Sequence, residues 1–295
     1  MIGPSTIPVV IDTDNALGSP RRFREKFLGG DVDDAYALAY LVQSRIQILE
    51  ILSVNGNTSA AASRRNVEEL LGVLKNDAIP NRALDNLNPI LPPGPSQYLA
   101  LGPLTNLAMF LDRGYKPERV VMTLGRISTS GDWPPYWPVE FNLNQDFSAF
   151  DKVIQNSVKK LIVPLDVAID LKLKRAHRPQ LQTSAVGGYL DKNSARWRMR
   201  NRLLKGRSSF PVWDLASAMA VARPATCRIE RGVGHLFGNG LFLCDIGGEP
   251  RTKHDRKRAL HSVEIEIVTA IDREAMFKEF FATLNSALSS ALSVG

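Results

Sequence analysis

The chain has little of what marks a secreted or membrane-bound protein. Its 295 residues include only two cysteines, Cys227 and Cys244, so no disulfide framework is expected. No apolar run is long enough to span a membrane, and the N-terminal residues show neither the basic region nor the apolar core of a signal peptide. We therefore expect a cytoplasmic protein that does not interact with membranes.

Recognisable motifs for nucleic acids and for histidine-bound metals are also missing. The four histidines have no spacing typical of metal ligands, and no segment matches a nucleic-acid-binding motif. The formal net charge of +7 favours anionic partners without naming one. Because clustered arginines such as those at 196–202 usually form a solvated helix face, nucleic acid is not expected as the partner.

Short apolar runs alternate with helical patterns along most of the chain. The β-branched run at 9–11 is typical of a strand buried on both faces of a parallel sheet. Further strands are predicted at 46–54, 98–101, 120–124, 161–167, 240–245 and 262–271, and helices at 60–74, 148–157, 190–204, 214–221 and 273–292. With no internal repeat and no linker, this alternation predicts one α/β domain over 1–295, with an open, mostly parallel central sheet flanked by helices.

Aspartates gather at the ends of these predicted elements. Asp12 and Asp14 follow the first strand, and Asp31, Asp33 and Asp34 come just before the first helix. Strand ends in an open α/β sheet meet at the edge where ligands bind, and carboxylates gathered there repel one another unless a cation lies among them. Calcium or magnesium, which prefer oxygen ligands, would compensate this charge. The alternative is that Asp12 and Asp14 form turns and that Asp33 caps the helix.

Several short motifs occur in a fixed order along the chain. They are Asp12-Thr13-Asp14, Gly30-Asp31-Val32-Asp33-Asp34-Ala35, Asn55-Gly56-Asn57, Gly102-Pro103-Leu104-Thr105-Asn106, Glu140-Phe141-Asn142, Leu165-Asp166-Val167, and Asp214 before an Ala-rich helix. In this order, and over nearly the whole chain, they resemble the calcium-dependent nucleoside hydrolases of the inosine-uridine preferring type. The chain is similar to a divergent member of that family.

The resemblance implies a Rossmann-like, single nucleoside hydrolase-like domain over 1–295 and a defined chemistry. An N-glycosyl hydrolase of this kind cleaves the N-glycosidic bond of a purine or pyrimidine ribonucleoside, or of a related ribosyl compound, with a calcium-activated water. The cofactor implied is Ca²⁺, the partner is a small nucleoside-like substrate, and the assembly is a homo-oligomer, either a dimer or a tetramer.

The resemblance also assigns metal and catalytic roles, position by position. Asp14, Asp34 and Asp214 would bind the calcium ion, together with the main-chain carbonyl of Leu101. Asp14 would also act as general base, a role for a carboxylate close to the nucleophilic water. Asn57 would lie beside that nucleophile.

The substrate roles implied by the resemblance fall on neighbouring positions. Asp33 and Asp214 would hold the 2′ and 3′ hydroxyls of the ribose, while Glu140 and Asn142 would hold its 5′ end. Asn57 would contact the substrate from the side of the nucleophile. Sugar and metal positions therefore match the family, whereas the identity of the base is left open.

A basic insert at 15–29 separates the first two acidic motifs. It must loop out if Asp33 and Asp34 are to return beside Asp14. Asp12 is expected to have a structural role, and the resemblance assigns no role to Asp31. His235 is expected to be structural.

The positions on the base side depart from the family. Trp213 stands where many members have a histidine, and indole has no acid function. We expect Trp213, with Trp133 or Trp137, to stack on the leaving base; the alternative is that these tryptophans pack in the core or in a lid. Trp213 also leaves open a catalytically inactive, ribosyl-ligand-binding protein of the same fold, and the arginine-rich helix leaves open a hydrolase of a phosphorylated nucleoside.

Overall fold

A nine-stranded sheet is the centre of the fold. The computed structural model describes residues 7–18, 30–84, 90–92, 94–127, 140–206, 209–247 and 255–292. Its strands are β1 Val9–Thr13, β2 Ile48–Ser53, β3 Asn81–Ala83, β4 Gln97–Ala100, β5 Arg119–Thr123, β6 Lys160–Val163, β7 Lys172–Leu173, β8 Phe210–Pro211, β9 Cys227–Leu236, β10 Phe242–Ile246 and β11 His261–Ile271. The order in the large sheet is β10-β9-β11-β6-β5-β4-β1-β2-β3, and β7 pairs separately with β8.

The large sheet is mostly parallel, as expected from the sequence. β1 pairs in parallel with both β2 and β4, and the parallel pairing continues through β5, β6 and β11. Among the described strands of this sheet, only β9 runs antiparallel to its neighbours, β10 and β11. The carboxyl ends of β1, β2, β4 and β5 therefore lie along one edge of the sheet.

Helices cover both faces of this sheet. Those described are α1 Asp33–Gln43, α2 Ala60–Leu74, α3 Thr105–Asp112, α4 Phe141–Gln145, α5 Phe147–Gln155, α6 Leu165–Ala168, α7 Arg178–Leu181, α8 Ala185–Asn193, α9 Ala195–Lys205, α10 Trp213–Ala222 and α11 Arg273–Leu292. Val9 and Ile11 pack in one apolar layer and Val10 in the other, because successive side chains of a strand point to opposite faces. Among the described helices, none is long and apolar enough to cross a membrane.

Two predicted elements were wrong in their extent. The strand expected at 161–167 ends at Val163, because Pro164 has no N–H to continue the ladder and α6 begins after it. The helix expected at 190–204 is two helices, α8 and α9, which meet at Ser194. The hydroxyl of Ser194 lies 3.0 Å from that of Tyr36, so a hydrogen bond joins this junction to α1.

Candidate active site

The chain leaves the end of β1 and returns beside the point where it left. A Cβ on Gly30 would lie 2.5 Å from the Cβ of Ala16, so this approach requires glycine. α1 then begins at Asp33, next to the end of β1. The part of the insert at 19–29, which holds all of its basic residues, lies outside the described residues.

Three carboxylates meet at the carboxyl edge of the sheet. Asp33 and Asp34 belong to the first turn of α1 and Asp214 to the first turn of α10. One oxygen of each lies within 4.8 Å of the others, and all three residues are buried. Burial, and then the neighbouring carboxylates, raises the pKa of each well above its usual range. Three hard oxygen donors held this closely fit a divalent cation such as calcium.

Asp14 adds a fourth carboxylate with one oxygen unused by the protein. Its Oδ2 accepts the N–H of Asn57 at 2.5 Å, whereas its Oδ1 is buried and has no hydrogen-bond partner among the described residues. Burial raises the pKa of Asp14 to about 6, and its charge acts on Asp34 and Asp214. Because a buried carboxylate oxygen needs a partner, Oδ1 is well suited to a cation or to a nucleophilic water.

Two threonines that sequence reasoning did not single out fix these carboxylates. The hydroxyl of Thr13 donates a short hydrogen bond to Oδ1 of Asp34. The hydroxyl of Thr123, at the end of β5, lies 3.3 Å from Oδ1 of Asp214. The role of Thr13 could have been predicted from its place within the Asp-Thr-Asp motif. Nothing in the sequence around Thr123 indicates that it contacts the site.

The positions of Asp12 and Asp33 test the alternative that these aspartates form a turn and a helix cap. Asp12 is a buried residue of β1 rather than a turn, and its carboxylate accepts from the Tyr98 hydroxyl at 2.7 Å and from Asn106 at 2.9 Å. This agrees with the expected structural role of Asp12, whose pKa burial raises to about 7. Asp33 does not cap α1, because the N-cap position is Val32 and Asp33 is the first helical residue.

One of the two residues expected at the 5′ end of the ribose, Asn142, lies beside the expected carbonyl ligand. The carbonyl of Leu101, just after β4, accepts Nδ2 of Asn142 at 2.9 Å, and Oδ1 of Asn142 is buried without a partner among the described residues. Glu140 is buried and accepts the N–H of Gly125 at 2.5 Å. Burial raises the pKa of Glu140 to about 8, against the effects of Gly125 and Arg126.

Trp213 precedes Asp214 directly and begins α10. It is partly buried and packs on the apolar layer that contains α1. Its Nε1 is buried with no partner in the described part of the chain. Trp133 and Trp137, the other tryptophans expected near a leaving base, lie outside the described residues.

The arginine-rich helix is anchored by one buried carboxylate. Asp191 of α8 forms an ion pair with Arg198 at 2.8 Å and accepts a hydrogen bond from Arg178 at 3.0 Å. Arg196 and Arg202 are exposed. Arg198 is therefore committed to a structural ion pair.

His235 has the structural role expected for it. Its Nδ1 lies 2.8 Å from the Ser262 hydroxyl and its Nε2 lies 3.1 Å from Asp245. Both ring nitrogens are therefore occupied at the antiparallel end of the sheet.

The fold and the site together define an α/β protein with a buried cluster of carboxylates at its strand ends that could hold a metal ion. The model of the inosine-uridine preferring nucleoside hydrolase family matches residues 82–278, which is more than half of the chain. The chain belongs to that family. The expected family, fold and N-glycosyl hydrolase class are thereby confirmed.

Solved structures and one curated relative agree with this assignment at low identity. A plant nucleoside hydrolase, PpNRh1, shares 18% identity with a TM-score of 0.77, covering 95% of this chain and 99% of its own. A purine-preferring ribonucleoside hydrolase from Gardnerella vaginalis shares 14% with a TM-score of 0.69, covering 95% and 98%. An uncharacterized protein of Schizosaccharomyces pombe is 23% identical and covers 66% of this chain and 78% of its own length. At these identities the structures support the fold alone.

Proposed function

We propose that this protein hydrolyses the N-glycosidic bond of a ribonucleoside with Ca²⁺ as its cofactor. The observation that carries the proposal is the buried cluster of Asp33, Asp34 and Asp214, together with Oδ1 of Asp14, which has no partner among the described residues. The carbonyl of Leu101 would complete the ligand set with Asp14, Asp34 and Asp214. A cation bound there lowers the pKa of a water ligand.

The side chains around the cluster supply binding and proton transfer. Asp14, held at Oδ2 by the N–H of Asn57, would accept the proton of the attacking water. Asp33 and Asp214 would hold the 2′ and 3′ hydroxyls of the ribose. Fixing the sugar in this way brings its anomeric carbon into line with the water, and holding two reactants in an attack geometry accelerates the reaction.

The remaining substrate contacts are proposed on the same basis. Glu140 and Asn142 would hold the 5′ end, and Trp213 would stack on the base. Oδ1 of Asn142 supports the contact at the 5′ end, because it is a buried polar atom without a partner among the described residues. The partial burial of Trp213 directly before Asp214 supports stacking on the base. Because indole is no acid, the leaving base must depart without a proton from Trp213.

A ribosyl-ligand-binding protein without turnover is the second candidate. Trp213 in place of an acid favours it, and the retained carboxylate cluster opposes it. Exposed Arg196 and Arg202 support the third candidate, a hydrolase of a phosphorylated nucleoside, only weakly. A preference for nucleosides over their monophosphates would reject this third candidate.

The test is release of reducing sugar from a panel of nucleosides and their monophosphates in the presence of calcium. Wild-type protein is compared with Asp14→Asn and with Asp77→Asn as a charge-matched control. Asp77 is exposed beyond the far end of α2, a 15-residue helix whose other end lies near Asn57, so about 22 Å of helix separates it from the site. We expect Asp14→Asn alone to lose activity. Calcium binding by the wild type with no sugar released from any substrate would favour the binding protein.

We further propose one domain over 1–295, a cytoplasmic location and a homo-oligomer. The single domain is supported by β1 and β11, strands from opposite ends of the chain that belong to one sheet. The location is supported by the thiols of Cys227 and Cys244, which are both free. The oligomer rests on the family resemblance, and light scattering would measure its size.

A further inference from the structure

We propose that Ser217 is a positioning residue of the carboxylate cluster, and that it acts on Asp214 through the hydroxyl of Thr123. This inference rests on the proposed function, because it requires that Asp214 bind a cation and the ribose. Thr123 is the last residue of β5, whereas Asp214 and Ser217 both belong to α10. Sequence reasoning did not single out Ser217.

Ser217 is a polar exception within an apolar helix. The other residues of α10 that follow Asp214 are all apolar and all buried, and Ser217 itself is completely buried. A buried hydroxyl without a hydrogen bond costs free energy, so a serine at this position needs a partner. Because residues three apart share one face of a helix, Ser217 and Asp214 point to the same side of α10.

The partner of Ser217 lies on a neighbouring strand. A serine inside a helix often donates to the carbonyl one turn back. The Ser217 hydroxyl instead lies 2.7 Å from that of Thr123, and it makes no other hydrogen bond among the described residues. Oγ1 of Thr123 in turn lies 3.3 Å from Oδ1 of Asp214. The three groups therefore form a chain that crosses from α10 to β5 and returns to α10.

The carboxylate at the end of this chain fixes the direction of its hydrogen bonds. A carboxylate that binds a cation is ionised and can only accept. Thr123 has one hydroxyl proton and donates it to Asp214, so its oxygen accepts the proton of Ser217. Hydrogen bonds in series strengthen one another, which matters here because 3.3 Å is long for a hydroxyl donor. Ser217 thus holds Thr123 in the rotamer that reaches Asp214.

An Asp214 that is held in place also supports a second carboxylate of the cluster. The N–H of Asp214 donates to Oδ2 of Asp33 at 3.4 Å, and both residues belong to the group that could hold a metal ion. Groups that hydrogen-bond metal ligands orient them, and their removal weakens metal binding by roughly 10- to 100-fold. Because Ser217 acts at one remove, we expect its effect at the lower end of that range.

The experiment is a double-mutant cycle on calcium affinity, measured by calorimetry on the full chain. The variants are Ser217→Ala, Thr123→Val and the two combined, with Ser44→Ala as the matched control. Ser44 is also a buried serine, and its hydroxyl donates to the carbonyl of Leu41. It follows the last residue of α1, an 11-residue helix that begins at Asp33, so about 16 Å of helix separates it from the cluster.

The expected pattern is a loss that does not accumulate. Ser217→Ala should weaken the Kd for calcium by about tenfold, and Thr123→Val by at least as much. Because Ser217 acts through Thr123, the double variant should bind calcium no more weakly than Thr123→Val alone. Ser44→Ala should match the wild type. Ser217→Cys, which has a weaker donor of similar size, should fall between the wild type and Ser217→Ala, and it replaces Ser217→Ala if that variant does not fold.

The outcomes separate this inference from the function on which it rests. If the wild type binds no calcium, the proposed function and the role of Ser217 both fail. If the wild type binds calcium and Ser217→Ala has the same Kd within about twofold, only the role of Ser217 fails. Losses that multiply in the double variant would show that Ser217 acts independently of Thr123. Equal losses in Ser217→Ala and Ser44→Ala would show a general loss of stability, and either of these results overturns the inference.

Discussion

Gly56 makes the position of Asp14 sensitive to a single methyl group. A Cβ at Gly56 would lie 2.8 Å from Cγ of Asp14 and nearer still to its Oδ2, and it would lie 2.9 Å from Cδ of Pro103. The backbone of Gly56 does not have a positive φ. Gly56→Ala therefore tests space alone, without backbone strain.

The size of the effect can be worked out from these distances. Carbon atoms in contact are separated by about 3.5 Å or more, so the carboxyl group of Asp14 must retreat by roughly 0.7 Å at Cγ and by more at Oδ2. The bond from the Asn57 N–H to Oδ2, now 2.5 Å, would lengthen beyond useful range. A displacement of about 1 Å in a catalytic group costs on the order of a hundredfold in rate. We expect kcat/KM to fall by about that factor and calcium affinity to fall with it.

The assay compares Gly56→Ala with Gly188→Ala. Gly188 lies within α8, and a Cβ there would meet no atom within 4 Å. Gly188→Ala should leave activity unchanged and raise the free energy of unfolding by about 0.5–1 kcal/mol. If Gly56→Ala keeps wild-type calcium affinity and kcat/KM within about twofold, Asp14 is not the base or ligand proposed here.

Three further predictions address the surroundings of the site and the sheet. Tyr98→Phe removes a buried donor to Asp12 and should lower the free energy of unfolding by about 1–3 kcal/mol in urea denaturation. Burial lowers the pKa of Lys160 to about 8 from an ordinary value of 10.5. Because the unfolded chain then binds more protons between these pH values, the unfolding free energy of the wild type relative to Lys160→Met should rise with pH across that window, and a falling difference would contradict this. Trp213→Phe should keep kcat/KM within about threefold and Trp213→Ala should lose tenfold or more if the ring stacks on the base; equal losses would point to the indole N–H instead.

The parallel part of the sheet was predictable because a strand that is buried on both faces has a continuous run of apolar residues in the sequence. β1 is a short run of apolar residues, and its neighbours β4 and β5 read in the same way. The strand β9 was not predicted. It runs antiparallel and is at least partly exposed on both faces over residues 227–233, so Arg228, Glu230 and Arg231 occupy positions where a buried parallel strand would carry apolar side chains. The three-residue strand β3 was not predicted either, because it lies in a Pro- and Asn-rich connection and its residues are only partly buried.

The acidic part of the site was predictable because several carboxylates at one strand end repel one another unless a cation lies among them. Asp14, Asp33 and Asp34 could be placed from their positions relative to the first strand and helix, and Asp214 from the start of its Ala-rich helix. Contacts between distant elements could not be placed in this way. Thr123 reaches Asp214 only because β5 and α10 are adjacent in space.

The close approach of Gly30 to Ala16 has a consequence for how this protein can be engineered. A segment whose two ends touch can change in length without moving the helix that comes after it, and the entropic cost of a longer closed loop grows only slowly with its length. The segment between the exposed Gly18 and Gly30 is thus a natural point of attachment for a tag, a fluorophore or an inserted domain. Such a fusion would sit next to the acidic edge of the sheet and report on that edge, while Asp33 and Asp34 keep their places.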